Sequence, residues 1–205
     1  MRTMHVAEEI ANSVIHGIGF LLSVAGLVLL IVWAADVSAW AVVGVSIYGT
    51  TLMLLYLMSV LCHSLSATRM AKMMELIDCS AIYILIAGTY TPFAFTALRG
   101  GWGWSLFGTV WFLAVLGIII TLFSLQRGSL ILYLLMGWLV VIAAAPLIRH
   151  VPQSAIGWLL AGGIAYTGGV IFFVRKHLFS HALWHSAVLL GSACHFIAVA
   201  MVVGR

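Results

Sequence analysis

Seven long apolar runs dominate this sequence and leave little of it for any other kind of structure. A bilayer core of about 30 Å requires about 20 apolar residues in a helix that rises about 1.5 Å per residue. Runs of that length lie at 14–34, 40–63, 76–98, 103–124, 129–148, 154–174 and 181–203. The pattern predicts an all-α, polytopic membrane protein with seven transmembrane helices, in a single domain that covers residues 1–205.

The composition supports the same fold class and excludes a nucleic-acid-binding protein. Hydrophobic residues make up 64% of the 205 residues and charged residues only 7%, whereas a soluble domain has about 45–50% apolar and about 25% charged residues. The formal net charge is +4, but the basic residues stand singly between the apolar runs and do not form a patch that would bind phosphates. We therefore expect the lipid bilayer, and no nucleic acid, as a partner.

The scattered basic residues predict how the chain is oriented, because Lys and Arg are enriched in cytoplasmic loops. Counting the connections in order gives six basic residues on the side that holds the N-terminus and three on the other. The six are Arg2, Arg69, Lys72, Arg127, Arg175 and Lys176; the three are Arg99, Arg149 and Arg205. This bias predicts a multi-pass protein of the inner (cytoplasmic) membrane with a cytoplasmic N-terminus and an external C-terminus.

Ionisable side chains within the apolar runs are few, and such groups usually mark a functional site in a membrane protein. His63 ends the second run, Asp78 begins the third, and His181 and His185 begin the seventh. Since successive spans reverse direction, the end of an even span and the start of an odd span lie on the same side. All four side chains are therefore expected at one membrane depth, on the cytoplasmic side.

Three imidazoles and a carboxylate at one depth suit a zinc site. Three histidines can bind catalytic zinc and leave its fourth position for water, whose pKa the metal lowers to about 7. Asp78 would then orient a ligand or act as a base toward that water, and Ser59, four residues before His63, could hydrogen-bond the water or the carboxylate. In the alternative, the HxxxH pair is a polar edge at the membrane interface, and Ser59 bonds its own helix backbone.

The other buried polar residues have more ordinary interpretations. His195 lies on the stripe of His181 and His185, about 15 Å beyond the latter, and fits either a cavity lining or a core histidine. His16, at the start of the first run, leaves the same alternatives open. The three cysteines lie in or beside apolar runs and are expected to be free thiols that pack as small hydrophobes; they are Cys62, Cys79 and Cys194.

Four segments of the chain resemble the bacterial hemolysin III family, the prokaryotic branch of the progestin and adiponectin receptor family. These are EEIANSVIHGIG (8–19), SVLCHSL (59–65), ELIDCSAIYILIAGTYTPF (75–93) and HALWHSAVLLGSACHF (181–196). The resemblance covers essentially the whole chain, and the combination of SxxxH, aspartate and HxxxH is specific. It implies seven helices with a zinc ion near the cytoplasmic leaflet, held by His63, His181 and His185, with Asp78 and Ser59 around the bound water.

The resemblance implies two different functions, and the residues leave a third open. The family is grouped with alkaline ceramidases, which implies a zinc-dependent hydrolase of lipid amide or ester bonds, or a sensor on that scaffold, in membrane lipid homeostasis. An acyl chain or a ceramide-like lipid inside the helix bundle is then the expected ligand. The family name implies a haemolytic pore instead, although a water-filled pathway should show polar residues at successive depths. Haem held by paired histidines is the third possibility.

Overall fold

The computed structural model describes residues 2–124, 128–175 and 177–204, and every regular element in those residues is a helix. The elements are α1 (Arg2–Ala35), α2 (Ala39–Ser64), α3 (Ala71–Phe95), α4 (Gly101–Ser124), α5 (Leu130–Trp138), a 3-10 segment (Leu139–Ala143), α6 (Ala144–His150), α7 (Gln153–Phe173) and α8 (Ser180–Val203). They form seven segments that are long and apolar enough to cross a membrane. The predicted all-α, seven-helix fold is confirmed.

The first helix is longer than its apolar run. The run begins at residue 14, but α1 begins at Arg2. The two differ because hydropathy reports only the part of a helix that lies in lipid. The extra turns are polar, and they carry Glu9 and Asn12 to contacts with α2.

The helices pack so that α2, α3 and α8 are surrounded by neighbours. α1 packs against α2 and α8, α3 against α2 and α4, and α7 against α8. The core between them is apolar and aromatic, with Tyr48, Tyr56 and Tyr83 among its largest fully buried side chains. Many large apolar side chains point outward, as expected where the solvent is lipid; Leu21, Phe112 and Phe123 are more than half exposed.

The fifth span is interrupted in its middle, where the α-helix gives way to the 3-10 segment. Pro146 lies in the first turn of α6. In a regular helix its ring would clash with the carbonyl of the residue four positions earlier, so the α-helix cannot continue unbroken through this segment. Tyr90 on α3 bonds the freed backbone: its hydroxyl donates to the carbonyls of Met136 and Gly137 and accepts from the amide of Val140, at 2.8, 2.9 and 3.0 Å. The break is therefore satisfied from a neighbouring helix, as membrane helices require.

Candidate metal centre

Three of the histidines predicted to share a membrane depth meet at the end of the bundle where α1 begins. His63 is the next-to-last residue of α2, while His181 and His185 lie in the first two turns of α8. The pair on α8 is four residues apart and so shares a helix face. Because α2 and α8 are in contact, that face meets the end of α2.

The three rings pack together, with His185 edge to face against each of the other two and His63 tilted against His181. Ring centroids lie 4.8 Å apart for His63 and His185, 5.1 Å for His63 and His181, and 4.4 Å for the pair on α8. One nitrogen of each ring lies within 4.8 Å of the other two. His63 is 8% exposed and His185 2%, so these two rings point into the bundle. A polar edge at the membrane interface would instead point toward lipid.

The donor set fits zinc. Zinc–nitrogen bonds of about 2.0–2.1 Å in a tetrahedron place ligand nitrogens about 3.3 Å apart. The Nε2 atoms of His63 and His185 are 2.8 Å apart, and no pair in the triad exceeds 4.8 Å. Side-chain shifts of about 1 Å would thus bring the three nitrogens to bonding distance. Among the described residues, the buried Nδ1 atom of His185 has no hydrogen-bond partner, and its Nε2 contacts only the triad partner His63.

Helix α1 contributes contacts that the sequence did not predict. The Oε2 atom of Glu9 lies 2.7 Å from Nδ1 of His63, and Nδ2 of Asn12 lies 3.4 Å from the same nitrogen. The rings of His16 and His185 pack edge to face, with their centroids 3.8 Å apart. Residues 9, 12 and 16 fall on one helix face, and this spacing was the available signal. Glu9 and Asn12 precede the apolar run at 14–34, so the run itself does not include them.

The predicted carboxylate lies near Ser59, at the contact of α2 with α3. Asp78 is half-buried and close enough to Ser59 to interact with it, although the Ser59 hydroxyl, 1% exposed, has no well-formed hydrogen bond among the described residues. Ser59 precedes His63 by one turn of α2. Asp78 is not among the residues whose ligand atoms converge, so it adjoins the nitrogen triad without belonging to it.

His195 takes no part in the cluster. Its Nε2 donates to the backbone carbonyl of Leu159 on α7 at 3.2 Å, and its ring stacks 5.4 Å from that of Tyr166. Of the two interpretations of this residue, a core histidine with a protein partner is the one that the contacts fit. None of the three cysteines forms a disulfide within the described part of the chain, as predicted.

The turn before α8 is strained. Phe179 has φ 62° and ψ 3°, a left-handed conformation that is rare for a bulky residue and costs of order 1–3 kcal/mol. Its carbonyl accepts the amide of Leu183 at 3.0 Å and so opens the first turn of α8. This strained residue lies two positions before His181, and it sets the direction in which the helix carries both histidines of its face.

Comparison with known families decides the classification. The model of the family described as "Haemolysin-III related" matches residues 4–196. The chain belongs to the haemolysin III family. That family, inferred above from short motifs, is therefore confirmed over nearly the full length, and with it the chain is a multi-pass membrane protein.

Two bacterial relatives of this haemolysin III chain are similar throughout. "Hemolysin-3" of Bacillus cereus is 46% identical over 202 residues, which cover 96% of this chain and 92% of the relative. "Hemolysin-3 homolog" of Bacillus subtilis (strain 168) is 47% identical over 199 residues, covering 95% and 93%. A human relative, "Monocyte to macrophage differentiation factor", is 25% identical over 202 residues, covering 94% and 83%. No solved structure matches the chain.

Proposed function

We propose that this haemolysin III protein binds zinc through His63, His181 and His185 and hydrolyses an amide or ester bond in a membrane lipid, as a ceramidase does. A role in membrane lipid homeostasis follows from such an activity. The observation that carries the proposal is the convergence of three imidazole nitrogens within 4.8 Å inside a membrane bundle. Buried histidines in apolar helices are costly, and three that face one another on two helices form a ligand set.

In the proposed hydrolysis, the metal and the protein side chains have different chemical roles. Bound zinc supplies Lewis acidity and a water of lowered pKa. Asp78 takes the proton of the attacking water and returns it to the leaving amine or alcohol, and Ser59 holds the carboxylate or the water by its hydroxyl. The proximity of Asp78 to Ser59, one turn from His63, supports these roles.

A lipid is the substrate class that the surroundings favour. The triad lies between α1, α2 and α8, near the end of seven apolar segments, so a water-soluble substrate would have to enter an apolar bundle. An amphiphile would instead leave its acyl chain among the helices and present its polar bond at the triad. A ceramide-like lipid combines an acyl chain with a hydrolysable amide.

The proposed site faces the cytoplasm of a bacterial inner membrane. This orientation follows from the distribution of basic residues, which places the start of α1 inside. A reporter active only in the cytoplasm, fused after Arg205, should be inactive, while the same reporter fused before Met1 should be active. The reverse pattern would move the site to the outer face.

Asp78→Asn should abolish hydrolysis and retain zinc, because it removes the proton acceptor without touching a ligand nitrogen. Loss of general acid–base catalysis is expected to lower the rate by about 10²–10⁴-fold. Zinc content by elemental analysis and fatty-acid release from ceramide and phospholipid vesicles measure the two properties. Asp36→Asn is the matched control, since Asp36 is exposed in the turn after α1, at the opposite end of the bundle.

Two other results would redirect the proposal. Stoichiometric zinc in the purified protein, with no fatty acid released from any vesicle, would favour a lipid sensor on the same scaffold. The second candidate function is a pore, which the printed name "Hemolysin-3" of the Bacillus cereus relative brings into consideration. Conductance in planar bilayers that survives both His63→Ala and His185→Ala would favour the pore over the hydrolase.

A further inference from the structure

The two nitrogens of the His63 ring face different partners. Nε2 points toward the triad, 2.8 Å from Nε2 of His185. Nδ1 points toward α1, 2.7 Å from the Glu9 carboxylate. His63 therefore connects the first helix of the chain with the last, and what Glu9 does to one nitrogen affects the other.

The chemistry of the Glu9 contact fixes the proton of His63. A carboxylate offers only acceptor oxygens, so the hydrogen in the short contact belongs to Nδ1, which donates it. In the neutral imidazole the lone pair then lies on Nε2, the nitrogen that faces His181 and His185. The other contact of Nδ1, to Asn12, is 3.4 Å long and is too weak to determine the tautomer.

We propose that Glu9 is a positioning residue of the metal centre, which holds His63 in the Nδ1–H tautomer and orients its Nε2 lone pair toward the ion. The inference rests on the proposed zinc site and extends it to α1. Histidines that bind metals commonly donate their second ring N–H to a carboxylate, which fixes the tautomer and raises the basicity of the ligand. Glu9 stands in that relation to His63.

Glu9 is suited to this role more than to holding the fold together. Its side chain is 38% exposed, so its removal leaves space that opens to solvent and no cavity in the packed core. Removing it should therefore leave the bundle folded. The preceding residue, Glu8, is a carboxylate of the same length on the same turn and is partly buried as well, but its side chain points about 100° away around the helix. The chain thus provides its own matched control.

Zinc affinity separates the two glutamates. In competition with a chelator of known affinity, the purified full chain with Glu9→Ala should bind zinc about 10–100-fold more weakly than the wild type. Glu8→Ala should match the wild type. Glu9→Gln, which keeps an acceptor oxygen without the charge, should show a smaller loss than Glu9→Ala. Equal affinity for Glu9→Ala, Glu8→Ala and the wild type would overturn the proposal.

The tautomer of His63 provides a test that needs no metal. In metal-free protein carrying ¹⁵N-labelled histidine, with the His63 signals assigned by their loss in His63→Gln, Nδ1 should be protonated and Nε2 unprotonated. Glu9→Ala should shift this balance, and Glu8→Ala should not. If the wild type binds no zinc but shows this dependence on Glu9, the proposed function fails while the positioning contact stands. An unprotonated Nδ1 in the wild type overturns the inference whatever the zinc affinity.

Discussion

Among the described residues, buried polar side chains that lack a hydrogen-bond partner are concentrated on one side of this bundle, although Thr51 on α2 and Ser192 on α8 are bonded there. On α1, α2 and α8, seven buried side-chain atoms lack a hydrogen-bond partner among the described residues; they are Asn12 Oδ1, both ring nitrogens of His16, Tyr48 OH, Tyr56 OH, Ser59 Oγ and His185 Nδ1. On α3, α5 and α7 the comparable groups are bonded, Tyr90 and Tyr133 to backbone carbonyls of neighbouring helices. One further unpartnered atom, Thr121 Oγ1, lies on α4.

The difference indicates which side of the molecule serves function. In native proteins more than nine in ten buried polar groups find a partner, and the exceptions call for a specific explanation such as an ion, water or ligand. Such exceptions are also expected where a protein gives up local consistency for function. Here Asn12 and His16 contact histidines of the triad and Ser59 lies one turn from His63, whereas Tyr48 lies about four turns away along α2. The bonded side of the bundle supports the helices that hold the triad in place.

The largest effect, on zinc content, should come from replacing single histidines of α8 by alanine. His185→Ala removes a proposed zinc ligand, so zinc content should fall from about one ion per chain toward none. His195→Ala, ten residues along the same helix, should keep its zinc and lose about 1–3 kcal/mol of unfolding free energy, because the Leu159 carbonyl loses its donor. Elemental analysis and thermal unfolding in detergent measure the two outcomes.

If His185→Ala kept its zinc and His195→Ala lost it, the metal would lie on the His195 side of the bundle and not at the triad. Absorption spectra of the same preparations test haem as well. A Soret band in the wild type that disappears in His185→Ala would replace zinc by haem at the triad.

An effect of intermediate size is expected on the free energy of unfolding when the hydroxyl of one of two buried tyrosines, Tyr90 or Tyr48, is removed. Tyr90→Phe removes a hydroxyl bonded to three backbone groups of the interrupted fifth span and should cost about 1–3 kcal/mol. Tyr48→Phe removes a hydroxyl that has no hydrogen-bond partner in the part of the chain that the structure describes, so stability should stay the same or rise by about 1 kcal/mol. Unfolding in a denaturing detergent gives both values, and a loss for Tyr48→Phe as large as that for Tyr90→Phe would contradict the distinction.

The seven helices could be predicted from the sequence because one physical variable, transfer to lipid, determines them. The common depth of His63, His181 and His185 could be predicted as well, because successive spans reverse direction and this fixes the side of the membrane on which each helix end lies. The contact of Glu9 with His63 spans 54 residues and depends on which face of α1 packs against α2. The spacing of residues 9, 12 and 16 puts them on one face of a helix, but it does not say which neighbouring helix that face meets. The break at residues 139–143 likewise could not be predicted from the sequence, because it depends on the contact of the Tyr90 hydroxyl with the fifth span.

The smallest effect concerns how α7 makes room for His195. A Cβ atom added at Gly162 would collide with the His195 ring, whereas one added at Gly168 meets nothing within 4 Å. Gly-to-Ala substitution within a helix contributes about 0.5–1 kcal/mol of stability by itself, and overpacking costs about 1–3 kcal/mol. Gly168→Ala should therefore unfold at a slightly higher temperature than the wild type, and Gly162→Ala should lose about 1 kcal/mol. Zinc content should be unchanged in both variants, because the disturbance lies three helical turns from His185 on the side of α8 that is bonded to the protein. A zinc loss in Gly162→Ala alone would mean that the α7–α8 contact also sets the geometry of the triad.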